Sequence, residues 1–447
     1  MSAIERTFFT LYVLCGPVTW LLVAYLVAIG RERMNKLRRN RDALPDPAPL
    51  VTILIPAKDE GSRIRDCVQD VLKQTYPSFE VIAINDRSTD DTGAILDTFA
   101  TSQDVLTISE DTRQHDQERR GSAATQSPHP VRVVHIRELP AGWLGKCHAL
   151  DHGATHARGE WLFFVDSDVR LKPDALSRMA ATSIAREYDA LSILTTIETH
   201  TFIEKLMLPL LAGTWMTMFQ GDQTNEDSEP EKALANGQAF LIRRSAYEKV
   251  GGHAAVKDRI VEDVELMRTL KKAGCRTRFL AGRELAATRM HTNLPQMFNG
   301  WARIFAGTAR GRVWPMGLAV GFLLLGVLSL APAVVRGCHT GEWATIFATG
   351  PHGSHQFTPW SVTFWQHGVY WAAAAAIHWL LMTIVAAFVW RWSGNRPWYA
   401  LLLPIGVVLE IVILVYAIRK AFSGKIDWRG SAVDLRQTSR VSDRPTV

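Results

Sequence analysis

The stretch that decides the fold is LVTILIPAKDE, residues 50–60. Its first seven residues form an apolar, β-branched run that Pro56 ends, and such a run predicts a buried strand. Strands buried on both faces are typical of a parallel sheet covered by helices on each side. Lys58, Asp59 and Glu60 follow at once, at the strand end where ligands bind in sheets of this kind.

The sequence that follows repeats this alternation. We expect further strands at residues 79–84, 131–136 and 161–165, and helices at residues 62–74, 90–100 and 146–157. Short apolar strands separated by helices predict an α/β domain with a mostly parallel sheet, which we place at residues 50–312. Residues 100–130 are polar and lack periodic apolar positions, so we predict an inserted surface loop there.

An acidic cluster, NDRSTD at residues 85–90, follows the second predicted strand. Asp86 lies where a ligand would bind, beyond the carboxyl end of that strand. The same segment is also typical of a helix cap, because Ser88 or Thr89 can bond the first amides of the next helix. The sequence leaves open both a ligand contact of Asp86 and a cap.

The strand predicted at residues 161–165 is followed by Asp166-Ser167-Asp168. Residues i and i+2 of an extended chain project to one side, so both carboxylates can face one cation. Carboxylate oxygens suit Mg²⁺ or Mn²⁺, which typically bridge to phosphate oxygens. A D-x-D directly after a buried strand therefore indicates a metal-assisted phosphate site.

Two further segments add a cation and a pair of acids. The segment PAGWLGK, residues 140–146, places Lys146 at the start of a predicted helix, where amides and an ammonium suit a diphosphate. Glu262 and Asp263 open another helix, and Asp263 either stabilises the helix dipole or acts as a general base. The phosphate-binding patterns GxxxxGK[ST] and, after the first strand, GxGxxG are missing, which argues against kinases and NAD-dependent enzymes.

The composition indicates two unlike parts. The 447 residues have a mean hydropathy of +0.00, with 47% hydrophobic and 21% charged residues, which excludes a disordered chain and a protein made only of membrane helices. Four nearly uncharged stretches are long enough to span a bilayer, at residues 8–29, 313–335, 369–390 and 397–418. We interpret the first as a retained anchor, because its apolar run is long and a basic run follows it.

Basic residues predict the orientation in the membrane. With Glu32 as the only acid among them, six follow the first span: Arg31, Arg33, Lys36, Arg38, Arg39 and Arg41. We therefore expect a multi-pass protein of the inner membrane with residues 50–312 in the cytoplasm. Three later spans would put the tail outside, whereas its own basic residues, from Arg419 onward, favour the inside. One of the three later stretches can therefore be re-entrant or interfacial, and the stretch near Val335 is the first candidate.

Charge and cysteine usage narrow the class of protein. Much of the net charge of +6 lies beside the bilayer and not in a nucleic-acid groove. The five cysteines are scattered, which excludes a zinc ribbon or a disulfide scaffold and suits a reducing compartment. We divide the chain into an anchor (1–30), a basic linker (31–49), the α/β domain (50–312), a membrane region (313–420) and a polar tail (421–447).

Six elements in one order resemble the family 2 glycosyltransferases, inverting enzymes with a GT-A fold. They are VTILIPAKDE, ND-x-S-x-D, WLGK-x-x-AL, the DSD, an RR…GG stretch and ED-x-x-L, within residues 50–312. Membrane-anchored bacterial members with isoprenoid, carotenoid, hopanoid-pathway or other lipid acceptors share the GWLGK segment. They also share a TRMY-like stretch, here TRMH at residues 288–291, and a tryptophan–glycine–basic tail, here residues 428–430.

The resemblance implies roles on the donor side. Asp86 would contact the nucleotide base, and Asp166 the ribose or the diphosphate. Asp168 would bind the divalent metal, Mg²⁺ or Mn²⁺. Lys146 would add positive charge beside the diphosphate, and Glu60 would help to close the nucleotide pocket.

On the acceptor side, Asp263 would be the general base. Residues assigned to the acceptor or diphosphate region are Gly237, Gln238, Glu262, Trp301 and Arg303; for the last two, packing at the membrane surface is an equal alternative. Two features depart from the family. His291 stands where tyrosine is usual, and the Q-x-x-R-W motif of processive synthases is missing, which argues against polymerisation.

We therefore expect transfer of one sugar from a nucleotide sugar to a lipid acceptor at the membrane. The alternatives are a polysaccharide synthase and a non-catalytic membrane scaffold with a degenerate domain. Residues 206–219 would lie in the membrane interface or form a buried core helix. His378 and Glu410, within predicted spans, would pair with each other or with a neighbouring helix.

Overall fold

The computed structural model describes residues 3–33, 42–100, 105–108, 129–219, 223–291, 293–310, 312–338, 359–423, 425–428 and 431–434. These residues form two compact units, an α/β domain and a set of long apolar helices. The helical unit includes Phe202–Met218, which lies inside the predicted boundaries 50–312. The α/β domain is therefore interrupted along the chain.

The described elements are as follows. The strands are β1 (Val51–Ala57), β2 (Phe79–Asp86), β3 (Val105–Ile108), β4 (Val131–Ile136), β5 (Trp161–Phe164), β6 (Val169–Leu171), β7 (Ala190–Leu194), β8 (Thr196–Ile197), β9 (Phe240–Arg243), β10 (Thr277–Ala281), β11 (Ala286–Thr288), β12 (Lys425–Trp428) and β13 (Ser431–Asp434). The α-helices are α1 (Ala3–Val13), α2 (Thr19–Arg33), α3 (Ile64–Leu72), α4 (Thr92–Asp97), α5 (Gly145–Thr155), α6 (Ala175–Ala185), α7 (Phe202–Met218), α8 (Arg244–Lys249), α9 (Glu262–Lys272), α10 (Leu294–Thr308), α11 (Trp314–Leu323), α12 (Leu330–Cys338), α13 (Pro359–Trp392) and α14 (Leu403–Ser423).

The main sheet has the strand order β10–β7–β9–β5–β1–β2–β4–β3. Neighbouring strands are parallel, except that β9 runs antiparallel to β5 and β7. Successive side chains of β1 enter opposite cores: Ile53 packs with residues of α3 and α6, and Leu54 with residues of α5 and α9. The predicted α/β class, with a mostly parallel sheet and helices on both faces, is confirmed.

The centre of this sheet brings three predicted site segments to one edge. β1 lies between β2 and β5 and is parallel to both, with Ala57 paired to Asn85. The carboxyl ends of parallel strands meet at the same edge. The segments that carry Glu60, Asp86 and Asp166 therefore emerge side by side.

A second, three-stranded sheet extends this edge. β11 lies between β6 and β8, and Thr288 pairs with Val169, the residue after Asp168. The TRMH stretch, residues 288–291, therefore begins beside the DSD segment. The two segments are far apart in sequence, and the antiparallel pairing of β6 with β11 joins them.

The predicted loop over residues 100–130 is wrong at Val105–Ile108. These residues form β3, which pairs in parallel with β4 at the edge of the main sheet. A run of four residues inside a polar segment is too short to show a strand periodicity in the sequence. The remainder of the insert, residues 101–104 and 109–128, lies outside the described residues.

The predicted cap by Ser88 or Thr89 is also wrong. Helix α4 begins at Thr92, and it is Asp90 Oδ1 that accepts the Thr92 amide, at 3.0 Å. Ser88 instead accepts the amide of Asp59 at 3.0 Å. The Ser88 side chain therefore joins the loop after β2 to the loop after β1.

The helical unit contains four described helices that are long and apolar enough to cross a membrane. They are Ala3–Ala28, Trp314–Val335, Tyr370–Trp392 and Pro397–Ser423, which confirms the four predicted stretches as helices of spanning length. Most of the basic run after the first span, residues 34–41, lies outside the described residues, as do Arg429 and Gly430.

Polar contacts inside the helical unit are specific. His378 Nδ1 lies 3.1 Å from the Tyr12 hydroxyl, and its Nε2 lies 2.8 Å from the Gly326 carbonyl oxygen. His378 thus pairs with neighbouring helices, one of the two predicted possibilities. Glu410 is fully buried in α14. In α7, Leu206 and Leu210 pack against Gly406 of α14.

Candidate active site

One ammonium group joins two of the predicted site segments. Lys146 Nζ lies 2.7 Å from Asp166 Oδ1 and 2.6 Å from Glu262 Oε1. Burial would lower the pKa of Lys146, but the charges of Asp166 and Glu262 raise it well above its ordinary value. The group is therefore an ammonium ion, and its side chain is 25% exposed, which leaves it accessible to a ligand.

The carboxylate of Asp263 lies beside this ammonium. Its Oδ2 accepts the Gly237 amide at 2.6 Å and its Oδ1 accepts the Val264 amide at 2.8 Å. Burial and then the charge of Glu262 raise the pKa of Asp263 to about 7, against the opposing effects of Lys146 and the two amides. A carboxylate with this pKa can take up a proton near neutral pH, as a general base must.

The close approach of Lys146 and Asp263 depends on Gly237. A Cβ atom at Gly237 would lie 3.0 Å from Lys146 Nζ and 3.3 Å from Asp263 Oδ2. Both contacts are tighter than those that side-chain carbons normally make. Glycine therefore lets both charged groups flank the same piece of backbone.

Asp168 lies among other acids. Burial, the charge of Asp166 and the charge of Glu60 raise the pKa of Asp168 to about 6, and the guanidinium of Arg63, 3.8 Å away, opposes the shift. In the described part of the chain, no group of three or more His, Cys, Asp or Glu side chains is arranged to hold a metal alone. Mg²⁺ and Mn²⁺ usually take one or two carboxylates and share the remaining positions with water and substrate phosphates. The acids around Asp168 fit a cation held in that way.

Asp86 is buried and paired with the next residue. Arg87 Nε and Nη2 donate to its two oxygens at 2.7 and 3.1 Å. A Cβ atom at Gly145 would lie 2.4 Å from Asp86 Oδ2 and 2.7 Å from Arg87 Nη2. The GWLGK segment therefore packs directly on this ion pair. This contact links Asp86, the residue predicted to contact the nucleotide base, to the helix that carries Lys146.

A hydrogen-bonded turn formed by Asn236, Gly237 and Gln238 supports the Asp263 carboxylate. Gln238 is buried, and its Oε1 accepts from Asn236 Nδ2 at 3.0 Å and from the Thr195 hydroxyl. The predicted acceptor-region residue Gln238 therefore directs its oxygen into a protein network. The Asn-Gly dipeptide is the sequence signal of such a turn.

Two loops at the sheet edge are locked together by contacts that sequence reasoning missed. Asp59 Oδ1 accepts the Thr89 amide at 2.7 Å, and the Gly61 amide donates to Asp90 Oδ2 at 2.9 Å. The Glu60 amide donates to the Thr92 hydroxyl at 2.8 Å. These bonds hold the Glu60 loop against the Asp86 loop.

Trp301 and Arg303 lie on α10. Trp301 is 4% exposed and packs on Phe305 with ring centroids 5.8 Å apart. Arg303 is half-buried. A Cβ atom at Gly300 would lie 2.3 Å from the His291 ring, so His291 lies directly against α10.

Two family models match the sequence. The sequence model described as Glycosyl transferase family 21 matches residues 124–349, just over half of the chain. The model described as Glycosyl transferase family 2 matches residues 52–119.

Curated relatives include 4,4'-diaponeurosporenoate glycosyltransferases of Staphylococcus aureus. That of strain MRSA252 is 26% identical over 267 residues, which are 58% of this chain and 62% of the relative. That of strain USA300 is 25% identical over 266 residues, with the same coverage. The chain thus spans less than two thirds of the length of these relatives.

Solved structures found by comparison include a mannosyltransferase from Pyrobaculum calidifontis in complex with GDP-Man and Mn²⁺. Its TM-score is 0.45 at 16% identity, covering 82% of this chain and 98% of that one. Glucosyl-3-phosphoglycerate synthase from Mycobacterium tuberculosis, in complex with Mn²⁺ and UDP-glucose, has a TM-score of 0.37 at 14% identity and covers 59% of this chain and 79% of that one. Because more than half of this chain matches the family 21 model and the part before it matches family 2, the protein belongs to the family 2 and family 21 glycosyltransferases.

Proposed function

We propose that this glycosyltransferase moves one sugar from a nucleoside diphosphate sugar to the hydroxyl group of a lipid, with inversion at the anomeric carbon. The observation that carries the proposal is the position of Lys146, whose ammonium bridges Asp166 and Glu262 beside Asp263. A cation between the donor-side acids and the base is what a departing diphosphate needs.

On the donor side, Asp86 would meet the nucleotide base, Asp166 the ribose or diphosphate, and Glu60 would help to close the pocket. Asp168 would hold Mg²⁺ or Mn²⁺, which neutralises charge on the leaving diphosphate when bound. Lys146 would exchange part of its contact with the carboxylates for contact with a diphosphate oxygen. Its partly exposed side chain and three donors permit this exchange.

On the acceptor side, Asp263 would take the proton from the acceptor hydroxyl. As the acceptor oxygen forms a bond to the anomeric carbon, the bond from that carbon to the diphosphate breaks on the opposite face. The electron pair leaves with the nucleoside diphosphate. The raised pKa of Asp263, about 7, supports this role, because a base works best when its pKa lies near the working pH.

The lipid acceptor is supported by the apolar helices that precede and follow the α/β segments along the chain and by the acceptor named for the relatives. A lipid leaves the bilayer only at a high cost in apolar surface exposed to water, so the enzyme must meet its hydroxyl at the membrane. We propose an inner-membrane location with the α/β domain in the cytoplasm, where nucleotide sugars are available.

The test uses the purified full chain in lipid nanodiscs with MnCl₂ and three donors, UDP-glucose, UDP-N-acetylglucosamine and GDP-mannose. The acceptor is undecaprenol, which offers the hydroxyl group that the proposal requires. 4,4'-Diaponeurosporenoate, whose reactive group is a carboxylate, is assayed separately because it needs no general base. We expect nucleoside diphosphate release with one donor, loss of that release in EDTA or in Asp263→Asn, and a lipid product that carries one sugar by mass spectrometry.

Two other outcomes would contradict the proposal in different ways. A polymer would support a polysaccharide synthase in place of single transfer. A failure of every donor to release nucleoside diphosphate, with no difference between the chain and Asp263→Asn, would support a non-catalytic scaffold and overturn the proposal.

A further inference from the structure

We propose that Asn236 is a positioning residue whose side chain holds the following peptide so that the Gly237 amide stays on the carboxylate of Asp263. The inference rests on the proposed role of Asp263 as the base. It concerns a residue that touches neither donor nor acceptor in the proposed mechanism, and it assigns to that residue the orientation of one backbone donor.

The turn is closed by the Asn236 side chain. Asn236 Oδ1 accepts the Gln238 amide at 3.2 Å, two residues further along the chain. Such an Asx-turn encloses the intervening peptide, and here that peptide carries the Gly237 amide. The Gly237 amide then lies 2.6 Å from Asp263 Oδ2.

The other side-chain atom of Asn236 fixes its rotamer. Nδ2 donates to Gln238 Oε1 at 3.0 Å and to the Thr195 hydroxyl at 3.2 Å. The Asn236 side chain therefore forms three hydrogen bonds, and each ends on the turn itself or on the segment that follows β7.

The backbone of Asn236 is anchored to the main sheet. Its amide donates to the Ser192 hydroxyl at 2.8 Å, and that hydroxyl donates to the Asn236 carbonyl oxygen at 3.0 Å. Ser192 belongs to β7 and is fully buried. The hydrogen bonds of the Asn236 side chain and backbone therefore both restrain the orientation of the Gly237 amide.

Glycine explains why this support is needed. Gly237 has no side chain, because any Cβ atom there would crowd Lys146 and Asp263. A glycine peptide rotates more freely than any other, so packing at residue 237 itself cannot hold the amide. Asn236 supplies the constraint that Gly237 lacks.

The test is the pH profile of kcat/KM for Asn236→Ala, with the donor and acceptor that are active in the assay above. When the turn opens, Asp263 loses one donor to its carboxylate form, and its pKa rises. We expect the acid limb to move to higher pH by about one pH unit, which is about a tenfold loss on that limb. At the alkaline plateau the loss should stay below about twofold, because there Asp263 is ionised in both proteins.

Two further variants separate orientation from general damage. In Asn236→Ser the serine hydroxyl can close the same turn. We therefore expect the acid limb of the pH profile to lie close to that of the unchanged protein. Thr195→Val removes the hydroxyl that bonds Asn236 Nδ2 and Gln238 Oε1. It keeps the bond from the Gln238 amide to Asn236 Oδ1, which closes the turn, and we expect the acid limb of the pH profile to stay in place. Thermal unfolding and the donor KM of each variant, compared with the unchanged protein, check its folding.

A uniform loss in Asn236→Ala at every pH, or no change at all, would overturn the inference. Asp263→Asn, measured beside it, separates this failure from that of the proposed function. If Asp263→Asn stays active, the assignment of the base itself is wrong. If Asp263→Asn is inactive and the limb of Asn236→Ala does not move, only the role of Asn236 is wrong.

Discussion

Arg310 donates two hydrogen bonds to the carboxylate of Glu265, at 2.8 and 2.7 Å. Glu265 lies in the first turn of α9, the helix that presents Glu262 and Asp263, and Arg310 follows the end of α10. Arg268 adds a third bond to Glu265 at 2.7 Å. The side chains of Arg310 and Glu265 are only 14% and 11% exposed. The ion pair therefore joins the base-bearing end of α9 to α10.

This pair predicts a large effect of Arg310→Ala on stability. Removing one partner of a buried ion pair typically costs about 3–5 kcal/mol, and we expect the lower end of that range because Arg268 still pairs with Glu265. We expect a lowered thermal unfolding midpoint of the chain in nanodiscs. The matched control is Arg276→Ala, since Glu187, the partner of Arg276, is 83% exposed and such pairs contribute about 0–1 kcal/mol. Equal midpoints for the two variants would contradict the prediction.

Gly145→Ala should weaken donor binding. The added methyl group would lie 2.4 Å from Asp86 Oδ2 and would force the Asp86–Arg87 pair apart. If Asp86 contacts the nucleotide, we expect the donor KM to rise by about tenfold, equivalent to about 1.4 kcal/mol, with kcat changed less. Gly213→Ala is the control, because a Cβ atom there meets nothing within 4 Å. An unchanged donor KM in Gly145→Ala would argue against the contact.

The pH dependence of the unchanged protein should have an acid limb near pH 7. The pKa of Asp263 is raised to about 7 by burial and by Glu262, and only the deprotonated form accepts a proton. Activity should therefore be full above this pH and fall about tenfold for each pH unit below it. The measurement is log kcat/KM between pH 5.5 and pH 8.5 at saturating Mn²⁺. A flat profile over this range would exclude Asp263 as the titrating base.

Lys146→Met should abolish most activity. The substitution keeps the apolar stem but removes the ammonium between Asp166 and Glu262. Loss of a charge aimed at the leaving group typically costs about 10²–10³-fold in kcat. Lys146→Arg, which keeps the charge in a different shape, should retain more activity than Lys146→Met. Steady-state rates at several donor concentrations separate kcat from KM, and equal rates for the two variants would argue against a charge effect.

The sequence alone determined the elements whose cause is local. The run LVTILIP predicts β1 because apolar β-branched residues and a terminal proline act within a few positions, and the observed strand is Val51–Ala57. The four apolar stretches are likewise observed as helices of spanning length, because span length depends on local composition. The order of the six family motifs along the chain also predicted the candidate site residues, because each motif is short and contiguous.

The tertiary structure decided which of these residues meet. Lys146 lies in α5, Asp166 follows β5 and Glu262 begins α9. Only the order of strands in the sheet brings the Lys146 ammonium within 2.7 Å of both carboxylates. The strand β3, hidden in a polar insert, forms only because β4 offers a free edge. The turn at Asn236 acquires its role from Asp263, whose sequence position gives no sign of the contact. Hydrogen bonds and ion pairs act over a few ångströms in space, whereas sequence patterns report only neighbours along the chain, and the packing of the sheet connects the two.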